Sequence, residues 1–204
     1  MRLFILGATG GTGRQIVTQA LARGHQITAF VRAPEKLADL TERLTVCRGD
    51  PRDADGLTAA LPGHDAVLSA LGPPGPARTT ILRDSARSLV AAMQTAVVRR
   101  LLVVSAAVLF EDAGAFVNLM RQTLLRNVAE DNAAMERHIV ASDLAWTIAR
   151  PPRLTNGRMT GRYRVADDHL PRRGFLLSRA DVAHFLLDEL ERGAHPRRIV
   201  GLAR

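Results

Sequence analysis

Apolar runs alternate with amphipathic stretches from the first residues onward, and that alternation is the pattern of a parallel sheet wrapped by helices. Residues 3–6 read as a first strand that runs into glycine. Ile16, Ala20 and Leu21 then recur at helical spacing and stop near Arg23-Gly24, where glycine accommodates the left-handed conformation that ends a helix. Five further strands are expected at 27–31, 44–47, 66–70, 101–104 and 146–149, with long helices over 81–96 and 121–141. After Arg150-Pro151-Pro152 the texture turns rich in Gly157 and Gly161, with Tyr163-Arg164-Val165 as a short strand. Ser178 reads as the N-cap of a helix over 179–192, with Asp181 at its third helical position, and Ile199-Val200 as an edge strand. The expected fold class is α/β, one doubly wound domain over residues 1–204, in which residues of about 151–178 supply small elements around a substrate pocket.

Composition narrows the class of protein without changing that architecture. A domain of 204 residues buries roughly 70% of the surface its unfolded chain exposes, so it requires neither disulfides nor a structural metal. Cys47 is the only cysteine, sits in an expected strand, and reads as a buried structural thiol in a reducing cytoplasm. The longest apolar stretch, residues 101–110, is broken by Ser105 and is too short to span a bilayer. The first residues carry one charge and then meet glycines, which is not the apolar core of a signal peptide. The net charge of +8 raises the question of nucleic acid. The basic residues are nearly all arginine, Lys36 being the only lysine, and they are spread in singles and pairs without interleaved stacking aromatics. Neither nucleic acid nor membrane is expected as a partner. The six histidines lack metal-ligand spacing, and no Gly-x-Ser-x-Gly elbow occurs, so neither a metal site nor a hydrolase nucleophile is expected.

Between the first strand and the first helix runs Gly7-Ala8-Thr9-Gly10-Gly11-Thr12-Gly13. Glycines at 7, 10 and 13 in that setting are the dinucleotide fingerprint of a Rossmann-type domain. Gly7 permits the tight turn, Gly10 lets the backbone approach a pyrophosphate, Gly13 lets the helix pack on the sheet, and the helix N-terminus supplies amide donors. In an NAD-preferring site an acidic residue near the end of the second strand binds the adenosine ribose. No acidic residue occurs before Glu35, and Arg32 stands at that place. Its guanidinium either pairs with the 2′-phosphate of NADP(H) or is a solvated surface group. Asp50 either accepts from the adenine amino group or belongs to a turn or cap with Pro51 and Asp53. Leu71 and Gly72 close the fourth strand, where the backbone either runs beside the cofactor ribose or forms a plain strand-end turn.

These residues, with Ala91-Ala92-Met93, Val104-Ser105-Ala106, Arg150-Pro151-Pro152 and Ser178-Arg179-Ala180-Asp181-Val182-Ala183, follow in order along nearly the whole chain. On them the sequence resembles the atypical short-chain dehydrogenase/reductases, in particular the group of biliverdin-IXβ reductase, or flavin reductase, and its bacterial NAD(P)H-binding relatives. The resemblance implies an NADPH-dependent reductase that passes hydride to flavins and other planar conjugated acceptors. It also implies phosphate contacts from Thr9, Gly10 and Thr12, a 2′-phosphate contact from Arg32, an adenine contact from Asp50, and Ser105 beside nicotinamide and substrate. The chain departs from the group at Pro51, which lacks the backbone donor often offered there. It departs again at Arg153, where the mammalian reductases have histidine.

Most short-chain dehydrogenases move a proton with a tyrosine whose pKa is lowered by a lysine four residues later. Tyr163 is the only tyrosine and Lys36 the only lysine, so residue content excludes that pair. A flavin or quinone demands less, because hydride lands on an electron-poor conjugated system and the proton can come from water. Ser105, at the carboxyl end of the fifth strand, either orients the substrate or carboxamide or merely caps the strand. Arg153, past the sixth strand, either stabilises negative charge on the acceptor or is a surface arginine. Residues 110–120, with Phe116, Val117 and Leu119, and Phe175 read as an apolar cover over the acceptor or as ordinary core. The leading expectation is NADPH-dependent reduction of a flavin, quinone or similar acceptor, with Ser105 and Arg153 as catalytic candidates. The alternative is a non-catalytic NAD(P)-binding redox sensor of NmrA-like type. A nucleotide-sugar epimerase or dehydratase is disfavoured by the missing tyrosine. The sequence fits a monomer or a dimer.

Overall fold

The computed structural model describes residues 1–40, 43–73, 75, 77–111, 119, 122–123 and 125–204. Its centre is an eight-stranded sheet built from β1 (Arg2–Leu6), β2 (Gln26–Val31), β3 (Thr45–Arg48), β4 (Ala66–Ser69), β5 (Arg100–Val104), β6 (Ala145–Arg150), β8 (Arg164–Asp167) and β10 (Arg198–Ala203). The strand order is β3-β2-β1-β4-β5-β6-β10-β8, and every pairing is parallel except β10 with β8. The order reverses between β1 and β4, with Leu3 beside Ile27 on one side and Ala66 on the other. That reversal opens the crevice in which doubly wound folds bind ligands. The arrangement is the Rossmann-type α/β domain that the alternating runs predict.

Alternation within β1 divides the core in two. Leu3 and Ile5 face one apolar cluster with α1 (Gly11–Ala22) and α5 (Arg179–Arg192). Phe4 and Leu6 face the other, with α2 (Ala54–Ala60), α3 (Ile81–Thr95) and α4 (Arg126–Val140). Among the described residues no helix is long and apolar enough to cross a membrane.

The helix starts follow local side-chain chemistry. Ser178 caps α5 as expected, its Oγ accepting from the Asp181 N–H at 2.9 Å. Asp53 caps α2, a short helix with too few apolar positions for sequence periodicity to reveal. The first turn of α3 borrows its cap from another helix: the buried Asp131 carboxylate on α4 accepts from the Leu82 and Arg83 N–H groups at 3.1 and 3.0 Å.

Three expectations are corrected. Ile199 and Val200 belong to an inner strand, not an edge, because β10 inserts between β6 and β8. The edge is β8, whose largely exposed residues suit that place, and it starts at Arg164. Cys47 is half-buried against the second cluster, not fully buried. The sequence also gives no sign of the two-stranded parallel ribbon of β7 (Arg153–Thr155) and β9 (Leu176–Ser178), whose strands are too short to carry a period. Of the helix expected over 121–141, residues 121 and 124 lie outside the described residues.

Candidate functional site

The turn between β1 and α1 is shaped by backbone contacts that only glycine allows. Gly7 has φ +76°, and a Cβ there would lie 2.5 Å from the Ala70 carbonyl oxygen. A Cβ on Gly13 would lie 2.0 Å from the Gly7 carbonyl oxygen, so helix and turn are in direct backbone contact. Gly10 is different: its nearest neighbour would stand 3.3 Å away, and its face is open. Gly10 caps α1 without a side-chain hydrogen bond, and the first turn holds no acidic residue. The N–H groups of Gly11, Thr12 and Gly13 have no acceptor among the described residues. An open glycine face beside unsatisfied amides at a helix N-terminus fits a pyrophosphate. Thr9 is half-buried at this turn and Thr12 is buried.

The other binding candidates border the same edge of the sheet. Arg32 follows the last residue of β2, is exposed, and has no hydrogen bond or ion pair among the described residues. It lies close enough to Asp50 to act on its charge. Asp50 is held mainly by Arg52, which donates from Nε at 2.9 Å, from Nη2 at 2.6 Å and from its backbone N–H at 2.9 Å. Those bonds bring the Asp50 carboxyl down to about 2. The turn reading of Asp50 is therefore real, and one lone pair on Oδ2 is left for an adenine amino group. Leu71 packs on the second cluster, while Gly72 is exposed with nothing within 4 Å of a Cβ.

At the end of β5 the structure assembles a buried network around Ser105. The β5–β6 ladder continues past both strands, the Ser105 N–H donating to Ala149 O at 2.8 Å and the Ala107 N–H to Pro151 O at 2.9 Å. Ser105 Oγ donates to Glu136 Oε1 at 2.5 Å and lies 3.3 Å from Asn132 Oδ1. Arg150 clasps the same carboxylate, Nε to Oε1 at 3.0 Å and Nη2 to Oε2 at 2.5 Å, with its guanidinium 4.7 Å from the Phe110 ring centre. Arg150 can only donate, so Glu136 accepts from both neighbours and the serine proton is committed. With its proton committed, Ser105 Oγ retains its lone pairs as acceptors.

Arg153 is exposed on β7 and takes no part in this network. Of the expected apolar cover, residues 112–118 and 120 lie outside the described residues, and Leu119 is exposed. Phe175 is 72% exposed and lines an outer cleft of about 630 Å³ with Arg158, Arg173 and Leu176, so it is not core. Among the described residues no group of three histidine, cysteine or acidic side chains could hold a metal.

The family described as NAD(P)H-binding matches residues 7–192, which includes the glycine turn, Ser105, Glu136 and Arg150. The chain belongs to that family. It is 28% identical over 207 residues to the uncharacterized protein YwnB of Bacillus subtilis, covering 96% of this chain and 94% of YwnB. It is 30% identical over 185 residues to the oxidoreductase stcQ of Emericella nidulans, covering 77% of this chain and 66% of that one. A wide-type short-chain dehydrogenase/reductase from Veillonella parvula, solved in complex with NADP, superposes with a TM-score of 0.84 over all of this chain and 94% of its own. At 21% identity that likeness is one of fold.

Within this oxidoreductase-type family the chain's lone tyrosine is placed away from the site. Tyr163 precedes β8, two strands beyond β6, and its hydroxyl is hydrogen-bonded to His184 on α5 at 2.8 Å. Burial, reinforced by Asp188 and Asp181, pushes it up to about 12. A spectrophotometric titration should therefore find no tyrosinate in the folded protein near pH 10, where a free phenol is half ionised. The raised value stabilises the fold fully below the unfolded pKa of about 10 and that stabilisation is lost as pH rises through about 12. Half-ionisation near pH 10 would contradict the burial argument.

Glu136, Asn132 and Arg150 are the side chains of this candidate site that sequence reasoning missed. A signal existed. Asp131, Asn132, Met135, Glu136 and Ile139 share the buried face of α4, so three polar residues occupy a stripe that packing alone would make apolar.

Proposed function

We propose that this protein is a reductase that uses NADPH to reduce a flavin, a quinone or a similar planar conjugated acceptor. The observation that carries the reading is the Ser105–Glu136 hydrogen bond of 2.5 Å at the carboxyl end of β5. A serine whose proton is held by a carboxylate accepts N–H donors and orients a carboxamide or an acceptor ring. It is not a proton donor. Forming an alcohol from a carbonyl requires a proton at oxygen in step with hydride transfer, and the tyrosine that usually gives it is on the far side of β10. The bound nicotinamide supplies hydride, and acceptors protonated from water suit a site of this kind. Thr9, Gly10, Gly11, Thr12 and Gly13 would hold the diphosphate, Leu71 and Gly72 would run beside the ribose, and Ser105 would fix the reacting rings. Arg153, exposed on β7, would offer positive charge to the reduced acceptor from the rim of the site. The preference for NADPH is supported by Arg32, an exposed guanidinium without a partner among the described residues. A cytoplasmic setting belongs to the same reading, supported by a single unpaired cysteine.

The direct test follows NADPH oxidation at 340 nm with FMN, riboflavin and quinones as acceptors. Turnover is expected with at least one of these. The Arg32→Ala protein should show a KM for NADPH raised roughly tenfold or more, the loss of one charge-assisted contact, while its KM for NADH stays put. Tight cofactor binding without turnover on any acceptor would overturn the reductase and favour a non-catalytic redox sensor.

A further inference from the structure

The N-terminus of α1 carries more positive charge than its own amides provide. A helix start is equivalent to roughly half a positive charge, and here no side-chain cap or acidic residue in the first turn offsets it. The structure adds a full charge from the far end of the chain. Arg179, the first residue of α5, crosses to α1 and lies over Gly11. A Cβ built on Gly11 would sit 2.7 Å from Arg179 Cδ, 2.9 Å from its Nε and 3.8 Å from its Cζ. The partner of this guanidinium is a neutral amide: Arg179 Nη1 donates to Asn156 Oδ1 at 2.7 Å. It has no carboxylate partner among the described residues. Asp181, two positions on, is committed to the Thr160 and Gly161 N–H groups at 2.7 and 2.9 Å and to Ser178 Oγ at 2.8 Å.

A half-buried guanidinium pressed against a helix N-terminus is repelled by it, and an anion bound between them removes the repulsion. We propose that Arg179 is a pyrophosphate ligand of the dinucleotide site, delivered from α5 and held in position by Asn156. The inference rests on dinucleotide binding, not on reduction of any acceptor. It also assigns a purpose to Gly11, which stands outside the spacing of Gly7, Gly10 and Gly13. Its missing side chain makes room for the stem of Arg179. Because Arg179 serves the diphosphate and Arg32 the 2′-phosphate, the two arginines divide the cofactor between them.

Arg179→Gln keeps the stem over Gly11 as far as Cδ and a donor at the position of Nε while removing the charge. Titrations of nicotinamide fluorescence should show Kd for NADPH and for NADH raised by the same factor, roughly tenfold, with a shallower dependence on salt. The thermal midpoint of the cofactor-free protein should not fall, because the repulsion between the charge and the helix N-terminus goes with the charge. Asn156→Ala should weaken both cofactors in the same way and by less. Gly11→Ala should cost affinity in the wild-type chain and add little to Arg179→Ala. Unchanged affinity in Arg179→Gln, or a loss confined to NADPH, overturns the proposal. Should Arg179→Gln lower the midpoint, Arg179→Lys decides: a pyrophosphate ligand regains affinity for both cofactors with the charge, and a purely structural arginine does not.

Discussion

Replacing Gly13 with alanine is expected to abolish dinucleotide binding and to lower stability by about 3 kcal/mol or more, at the severe end of single substitutions. The added Cβ would lie 2.0 Å from the Gly7 carbonyl oxygen, 2.6 Å from its carbon and 2.8 Å from Ala8 Cα. All three are backbone atoms of the turn, so no side-chain rotation relieves the clash. The start of α1 must swing away from β1, taking with it the unsatisfied amides of its first turn and the packing of Ile16, Val17 and Ala20 in the first cluster. Gly10→Ala is the contrast, since its one contact at 3.3 Å leaves the turn in place while crowding the ligand face. Urea denaturation should therefore separate the two variants, and cofactor titration should find both impaired. A Gly13→Ala protein with the wild-type denaturation midpoint would refute the close-contact reading of this turn.

The second large effect is expected at Glu136. Removing one member of a buried ion pair strands the other, at a cost of about 3–5 kcal/mol. In Glu136→Ala the Arg150 guanidinium, with its side chain 13% exposed, loses its carboxylate partner and keeps the Phe110 ring, and Ser105 loses the shorter of its two acceptors. Replacing both charges with apolar groups of similar volume, as in Glu136→Leu with Arg150→Met, should recover most of that stability. It should not recover function, because the Ser105 hydroxyl then loses its short bond to Glu136 and keeps the longer contact to Asn132 Oδ1 at 3.3 Å. Equal destabilisation by the single and double changes in urea would show that packing, not an uncompensated charge, is what Glu136 supplies.

How much of this was legible beforehand depended on the range of the interaction. The first six parallel strands were readable because residues such as 3–6 and 101–104 are continuous apolar runs, as strands buried on both faces must be. The glycine turn was readable because its contacts lie within seven consecutive residues. The sequence puts Ser105 at a strand end but does not show the network that holds it, since its acceptor Glu136 lies 31 residues further along and only folding brings them together. The sequence leaves Asp50 between ligand and turn, and its local partner Arg52 fixes the turn without excluding a ligand at Oδ2. Arg179 was visible only as part of a motif; its passage to Gly11 depends on the packing of α5 against α1. The inner position of β10 was hidden for the same reason, because its neighbours β6 and β8 are fixed by the sheet and not by the strand itself.

That inner position bears on how the chain reaches its native state. Until residues 198–203 dock, β6 presents a row of unpaired peptide groups beside Thr147, Ile148 and Ala149, an apolar template open to another chain. The pairing that closes it spans about fifty residues, a non-local contact that carries a loop-closure cost. Once β10 is in place, the polar β8 runs antiparallel along it and becomes the outer strand. β10 and β8 together thus replace an apolar boundary with a polar one, and a chain in which residues 198–203 are undocked exposes the template.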